Sequence, residues 1–436
     1  VKKIHFIGIG GIGLSALARF LYHQGYQVSG SDIRETSITQ GLRELGMKVN
    51  IPHNAKAITN QDYIVHSAVI KPDNIEMQES RTKGKLILSR KDALLFILKE
   101  KRVFSVAGAH GKSTTSAMLA SVVDGSVIIG AESKQFGSNM VYKDSKNVIF
   151  EADESDESFL NSNPHVAVVT NAEPEHMEYY GYDYERFYGA YEKFLRSASL
   201  RVINAEDPYL ATLDDLEAIR LYPSRDITEL NTIVRHNEPF TSFKLKDLGT
   251  FEVWGVGEHI ALDASLAILA SLTEHDLETV REKIKNFRGI KKRFDILHVS
   301  SDFVLIDDYA HHPTEIKATL ASAKAYAKAM GFDSIKAIWQ PHKYSRTVDN
   351  LEGFRQCFDG VDELVILPVY SAGEAPKVID FEKAFSHCHP RFTSRVTCKS
   401  NEVSFKETTL GQIRYNKGLV IGFGAGDITY QLRGQC

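Results

Sequence analysis

Along the first hundred residues, short β-branched runs alternate with stretches in which apolar residues recur about every three to four positions. Ile4–Ile7 predicts a strand and Ile12–Tyr22 a helix. Gln27–Ser29, Tyr63–Val65 and Leu86–Leu88 predict further strands, and Lys91–Leu98 another helix. Strands alternating with helices predict βαβ units and a parallel sheet.

The pattern then restarts twice. After Lys99-Glu100-Lys101-Arg102, Val103–Ala107 predicts a strand and Lys112–Val122 a helix, with strands at Val148–Phe150 and Val166–Val169. Residues 217–255 are more β-rich and irregular, and helical patterns return at His259–Leu272 and Leu277–Ile284. A third series begins near Phe294, with strands at Phe303–Ile306, Ile335–Trp339, Leu364–Leu367 and Leu419–Ile421. The restarts divide the chain into three α/β domains, 1–100, 101–290 and 291–436. Length agrees, because a single core rarely grows beyond about 250–300 residues.

Composition changes the picture little. Hydrophobic residues make up 43% and charged residues 25%, which excludes disorder and fibrous repeats. The net charge is −4 and no basic block occurs, which argues against nucleic acid or an anionic membrane as partner. Cys357, Cys388, Cys398 and Cys436 form no CxxC pair, so neither a disulfide framework nor a structural zinc site is expected. With no apolar run of about 20 residues and no signal-peptide pattern, the expected setting is the cytoplasm.

Glycine-rich loops bring chemistry in. Gly8-Ile9-Gly10-Gly11-Ile12-Gly13 follows a strand and opens a helix, and fits G-x-G-x-x-G. Glycines let the backbone approach a diphosphate at a helix N-terminus. Asp32 ends the next strand, about 20 residues on, where an acid bonds a ribose hydroxyl. NAD and a uridine diphosphate both suit this motif. Gly108-Ala109-His110-Gly111-Lys112-Ser113-Thr114 also joins a strand to a helix. Gly-Lys-Ser there predicts a triphosphate site: N–H groups wrap the phosphates, Lys reaches the β/γ oxygens and the hydroxyl meets Mg²⁺. Its spacing is a G-x-x-G-K-S-T variant of the usual loop. A dehydrogenase needs only the first loop and leaves the second unexplained.

Polar clusters fall at predicted strand ends, where ligands of parallel sheets collect. Glu151-Ala152-Asp153-Glu154-Ser155-Asp156-Glu157 offers carboxylates to a hard cation. Thr170-Asn171-Ala172-Glu173-Pro174-Glu175-His176 ends on a possible metal ligand. Asp307-Asp308-Tyr309-Ala310-His311-His312 could bind ribose or assist proton transfer. Gln340-Pro341-His342-Lys343-Tyr344-Ser345-Arg346 suits a carboxylate or phosphate.

Over nearly its whole length the chain resembles the ATP-dependent Mur ligases of peptidoglycan synthesis. IHFIGIGGIG, SGSD, GAHGKSTT, EADESDESFL, TNAEPEHME, FRGIKKRFD, DDYAHHPTE, QPHKYSRT, VYSAGEAP and GFGAGDI carry the resemblance. It implies a Rossmann-like first domain that holds UDP, a central ATPase domain, and a Rossmann-like third domain whose strand-end loops close over the active site. The implied reaction joins L-alanine to the lactyl carboxylate of UDP-N-acetylmuramate through an acyl phosphate, using ATP and Mg²⁺. A sister activity that reattaches whole peptides usually has Tyr where Ser155 stands. Alanine, glycine and serine differ by few atoms and stay open as acceptors, as does the choice between a monomer and a weak dimer.

By family position, Gly108, Ala109, His110, Gly111, Lys112, Ser113, Thr114, Arg293 and Asp307 would face ATP, and Ser113, Glu151 and His176 would hold Mg²⁺. Gly10, Gly11, Gly13, Asp32, Ser67, Asn74, Tyr309, Lys343 and Arg346 would take the UDP substrate. Lys112, His311 and Arg346 would be catalytic, with His311 accepting the amine's proton. The family's adenine segment G-x-H-N-x-x-N is here Gly257-Glu258-His259-Ile260-Ala261-Leu262-Asp263, without either asparagine. Several sister ligases place a carbamylated lysine where Tyr191 stands, so no such modification is expected here.

Overall fold

The computed structural model describes residues 1–399, 401–407 and 411–435, so Cys436 lies outside the described residues. Three α/β sheets follow one another along the chain. In the first, Ile4, Phe6 and Ile7 are fully buried in β1 (Lys3–Ile7), which leads into α1 (Ile12–His23). The series continues with β2 (Gln27–Ser31), α2 (Ser37–Glu44), β3 (Lys48–Asn50), β4 (Tyr63–His66), α3 (Ile75–Thr82), β5 (Leu86–Ser89) and α4 (Arg90–Ile97). The strands are parallel in the order β3-β2-β1-β4-β5.

The second series is β6 (Arg102–Ala107), α5 (Lys112–Val122), β7 (Ser126–Ser133), β8 (Ser138–Val141), β9 (Asn147–Glu151), β10 (Pro164–Val169), α6 (Tyr184–Ser197), β11 (Leu200–Asn204) and β12 (Ile219–Leu221). Its order is β12-β11-β10-β6-β9-β7-β8, with β8 antiparallel at one edge. A single turn, α7 (Pro223–Asp226), precedes a three-stranded sheet of β13 (Ile227–Arg235), β14 (Glu238–Leu245) and β15 (Thr250–Trp254). Helices α8 (Glu258–Ser271) and α9 (Leu277–Ile284) follow.

The third series is β16 (Asp295–Val299), β17 (Phe303–Asp308), α10 (Pro313–Met330), β18 (Ile335–Trp339), α11 (Tyr344–Asp349), α12 (Leu351–Cys357) and β19 (Glu363–Ile366). It continues with α13 (Phe381–Ala384), β20 (Arg391–Phe392), β21 (Val396–Lys399), β22 (Glu402–Glu407), β23 (Gly411–Tyr415), β24 (Gly418–Phe423) and α14 (Ile428–Leu432). Strand order is β16-β17-β24-β18-β19-β20, and β21-β22-β23 form a separate antiparallel sheet. Every residue of β17 is buried, as expected of a strand covered on both faces.

Packing groups these sheets into two compact units. One holds Val1–Thr228, Leu245–Gly249 and Leu262–Phe287, the other Glu229–Lys244, Thr250–Ala261 and Arg288–Cys436. The first two series fall together because they share a core: one buried apolar cluster includes Ile4, Phe20 and Leu94 as well as Phe150, Phe194 and Leu216. Tyr142 meets Phe20 at 6.0 Å and stacks on His23 at 5.3 Å. Asn139 Nδ2 donates to the Ile12 carbonyl at 3.1 Å. Glu229–Lys244 and Thr250–Ala261 group by packing with the C-terminal series. That unit centres on Trp339, which is fully buried against Phe354 and Phe385.

Candidate active site

In the β1–α1 loop, Gly8 takes φ +85°, and the N–H groups of Gly8 and Ile9 donate to the Ser31 carbonyl at 2.8 and 3.0 Å. Gly10 donates to Asp32 Oδ2 at 2.8 Å. Gly11 caps α1 without any side-chain hydrogen bond. A Cβ on Gly13 would meet Arg90 Nε at 3.3 Å. Arg90 comes from α4, its Nε is buried without a partner, and its Nη1 lies 3.7 Å from Asp153. No motif announced this arginine; only the fold brings it to the loop.

Behind the loop lies a buried polar network. Ser31 Oγ donates to Glu76 Oε2 at 2.5 Å, and His5 Nε2 stands 3.2 Å from the same oxygen. Asn54 N–H donates to Glu76 Oε1 at 2.7 Å. Burial pushes the Glu76 carboxyl up, but the bonds from His5, Ser31 and Asn54 outweigh it and hold the group below its usual value. Ser67 follows β4 and lies beside Gly8. Asn74 Oδ1 caps α3 by accepting from Glu76 and Met77 N–H.

The β6–α5 loop is more crowded. Gly108 takes φ +138°, and a Cβ there would lie 2.1 Å from Thr170 Oγ1. Gly111 takes φ +82°, and its Cβ would lie 2.4 Å from Asp263 Oδ1. Asp263, expected near adenine, thus has its carboxylate against this loop. Asn171 Oδ1 accepts from the N–H groups of Ala109 and His110 at 3.0 and 3.2 Å. Lys112 Nζ folds back onto the Gly108 and Ala109 carbonyls at 2.5 and 3.3 Å, and onto Glu154 Oε1 at 2.9 Å. Ser113 is buried at the start of α5, and Thr114 is half-buried.

Metal-binding atoms gather here. Glu154, Glu175 and His176 bring one ligand atom each within 4.8 Å of one another. Glu151 ends β9, and its Oε2 accepts from Gly130 N–H on β7 at 2.7 Å. Glu154 is 1% exposed and its Oε2 has no partner. Burial raises its carboxyl, and Lys112 only partly offsets this. That donor set suits a divalent cation, since the orphan oxygen is a ready ligand. His110, exposed, lies 3.4 Å from Glu173 and 3.5 Å from Glu175.

In the other compact unit, the residues after β17 and β18 form a second cluster. Asp307 is 1% exposed; its Oδ2 accepts from Thr429 Oγ1 at 2.6 Å and Arg433 Nη2 at 2.8 Å, and its Oδ1 has no hydrogen-bond partner among the described residues. Strand alternation turns Asp308 the other way, where it accepts from Phe294 and Ala310 N–H, and burial pushes it up to about 6. Arg293 is exposed and close enough to Asp308 to lower it in part.

Tyr309 is exposed, with its ring edge-on to His311 at 5.3 Å. His311 Nδ1 lies 3.0 Å from the Tyr309 carbonyl. A carbonyl only accepts, so Nδ1 carries the proton and neutral His311 keeps Nε2 as its basic nitrogen. His342, passed over in selecting residues from its motif, sits 5.8 Å from His311 and stacks on Tyr370 at 5.6 Å. Arg346 Nη1 donates to His342 Nδ1 at 3.1 Å. Burial first, then Arg346, His311 and Lys343, hold His342 below the usual histidine range. Lys343 takes φ +68° and its N–H donates to the Tyr370 carbonyl at 2.9 Å.

Comparison with known proteins agrees along the chain. Residues 3–102 match the family model described as Mur ligase family, catalytic domain; 106–270 match Mur ligase middle domain; 292–416 match Mur ligase, glutamate ligase domain. A UDP-N-acetylmuramate–L-alanine ligase of Campylobacter curvus is 61% identical, with 100% of both chains covered. One from Helicobacter pylori is 55% identical, covering 99% of this chain and 96% of its own. The crystal structure of UDP-N-acetylmuramate–alanine ligase from Thermotoga maritima superposes with a TM-score of 0.80 at 29% identity, covering 100% of this chain and 98% of its own.

Proposed function

The chain belongs to the Mur ligase family, and from that premise we propose how its own residues carry the reaction. It joins L-alanine to UDP-N-acetylmuramate, the activity named for its full-length relatives. Membership implies nucleotide use; we infer that the nucleotide is ATP and that Mg²⁺ accompanies it. The lactyl carboxylate attacks the γ-phosphorus, breaking its bond to the β–γ bridging oxygen so that ADP leaves, and gives an acyl phosphate; the amine of L-alanine then displaces phosphate from the acyl carbon.

Two anions must meet in the first step, so positive charge is the requirement. Lys112 exchanges its bonds to the Gly108 carbonyl and Glu154 for the β/γ-phosphate oxygens. A bound divalent cation would supply further charge neutralisation; Ser113, Glu151 and His176 would hold it by family position, and Glu154 and Glu175 offer ligand atoms grouped with His176. Gly10, Gly11 and Gly13 take the UDP diphosphate, with Arg90 as countercharge and Asp32 toward the ribose. Ser67 supports the same end. Tyr309, Lys343 and Arg346 take the muramoyl or amino-acid end, Arg293 faces ATP, and His311 Nε2 accepts the amine's proton. The supporting observation for that last role is the commitment of Nδ1 to the Tyr309 carbonyl. Asp307 is a positioning group through Arg433 and Thr429.

No described helix is long and apolar enough to cross a membrane, and the reaction suits the cytoplasm, where ATP is available. The observation that carries this reading is the pairing of a lysine-bearing glycine loop with Glu154 and His176 in a chain matched end to end by L-alanine-adding ligases. Phosphate release from ATP and Mg²⁺, measured with and without UDP-N-acetylmuramate across alanine, glycine and serine, tests it. Release that ignores the muramoyl nucleotide, or that favours glycine or serine, would contradict it.

A further inference from the structure

The reaction proposed above makes no use of the charged network under the first glycine loop. Glu76, in the first turn of α3, is 0% exposed. Its Oε2 accepts from Ser31 Oγ at 2.5 Å and faces His5 Nε2 at 3.2 Å, and its Oε1 accepts from Asn54 N–H at 2.7 Å. A hydroxyl has one proton, and Ser31 gives it to Glu76. His53 Nδ1, 2.8 Å from Ser31 Oγ, is therefore the donor in that bond. One carboxylate thus ties together β1, β2, the segment after β3, and α3. Apolar side chains of similar size would fill the space without the cost of desolvating a charge, and such replacements are often neutral or stabilising. Stability alone does not account for a carboxylate here.

Its placement says what it holds. Ser31 works on two sides. Its hydroxyl goes to Glu76, while its carbonyl accepts from Gly8 and Ile9 N–H at 2.8 and 3.0 Å. The next residue, Asp32, accepts from Gly10 N–H at 2.8 Å. On the other strand, His5 lies three residues before Gly8. Glu76 therefore joins the elements that deliver Gly10, Gly11 and Asp32, yet its burial keeps it from touching a ligand itself.

We propose that Glu76 is a positioning residue for the UDP substrate, fixing the Gly8–Gly10 backbone and Asp32 through Ser31. Glutamine has nearly the same shape but sets an amide NH₂ against either the Ser31 and His5 side or Asn54 N–H, so a donor faces a donor whichever way it turns. This role rests on the reading of the first loop as the UDP site, so the test separates the two. UDP-N-acetylmuramate binding to the full chain is followed by calorimetry, beside steady-state kinetics and thermal melting. Glu76→Gln is expected to raise Kd and KM for UDP-N-acetylmuramate about tenfold, the worth of one hydrogen bond, with KM for ATP and kcat at saturation unchanged. Ser31→Ala, which removes the hydroxyl and keeps the carbonyl, is expected to shift the same two constants, and it decides the matter if Glu76→Gln does not fold. A merely structural network would lower melting and leave both KM values at those of the parent, and that result overturns the proposal. A loss shared equally by the two substrates overturns it as well. Asp32→Ala is run beside them. If it binds UDP-N-acetylmuramate as the parent does, the reading of the first loop fails. If it loses binding while Glu76→Gln and Ser31→Ala keep it, only the role of Glu76 falls.

Discussion

The two glycine loops start alike and end differently. Each links a buried parallel strand to a helix, and each needs glycine at positive φ. The first rests on its neighbours through backbone and carboxylate: Ser31 holds Gly8 and Ile9, and Asp32 holds Gly10. It carries no cation of its own and borrows Arg90 from α4. The second holds its cation within the loop, and Lys112 is already paired with a buried acid. A loop that only grips a diphosphate can be made of backbone and one distant arginine. A loop that must stabilise a transferring phosphoryl group needs charge fixed to the loop itself.

The hardest test of this contrast is Lys112→Ala. We expect ATP turnover to fall by about 10³-fold or more, with UDP-N-acetylmuramate binding, followed by calorimetry, little changed. Gly108→Ala comes next. A left-handed backbone and a Cβ 2.1 Å from Thr170 Oγ1 should cost about 3 kcal/mol in denaturant unfolding. Gly10→Ala meets side chains alone, the Asp32 carboxylate at 2.8 Å and Thr39 Cγ2 at 3.1 Å, and should cost about 1 kcal/mol. Equal losses would mean that the two loops are equally constrained.

The third test concerns what supports the first loop. Glu76 is held below its usual value, so its contribution is present above the unfolded carboxylate range near 4.5 and is lost as pH falls through the lower folded value. Glu76→Gln should flatten the acid limb of stability against pH, and an unchanged limb would remove Glu76 as its source. The smallest effect is expected from Tyr180→Phe. It removes the bond to the Glu154 carbonyl and should lower stability by about 1 kcal/mol in urea unfolding.

Much of this was legible in the sequence. Runs such as Ile335–Trp339 and Lys112–Val122 appear in the structure with the predicted bounds, because both periodicity and flanking residues mark them. Elements such as α2 and β3 were less visible, being short and largely polar. Glu151 and Glu154 show what the sequence leaves open at the candidate site. They stand three residues apart in one acidic stretch. Which of them turns to the lysine depends on where β9 ends and on a free N–H at Gly130 across the sheet. Asp307 is likewise decided by Thr429 and Arg433, more than a hundred residues away in sequence.

The core that runs unbroken from Ile4 to Leu216 bears on how this protein can be taken apart. A cut near residue 100 looks natural by motif, yet it would strip Phe20 and His23 of Tyr142 and leave an apolar wall of α1 in water. The segment before residue 100 therefore has no autonomy as a fragment. It and the segment that follows should melt as one cooperative body.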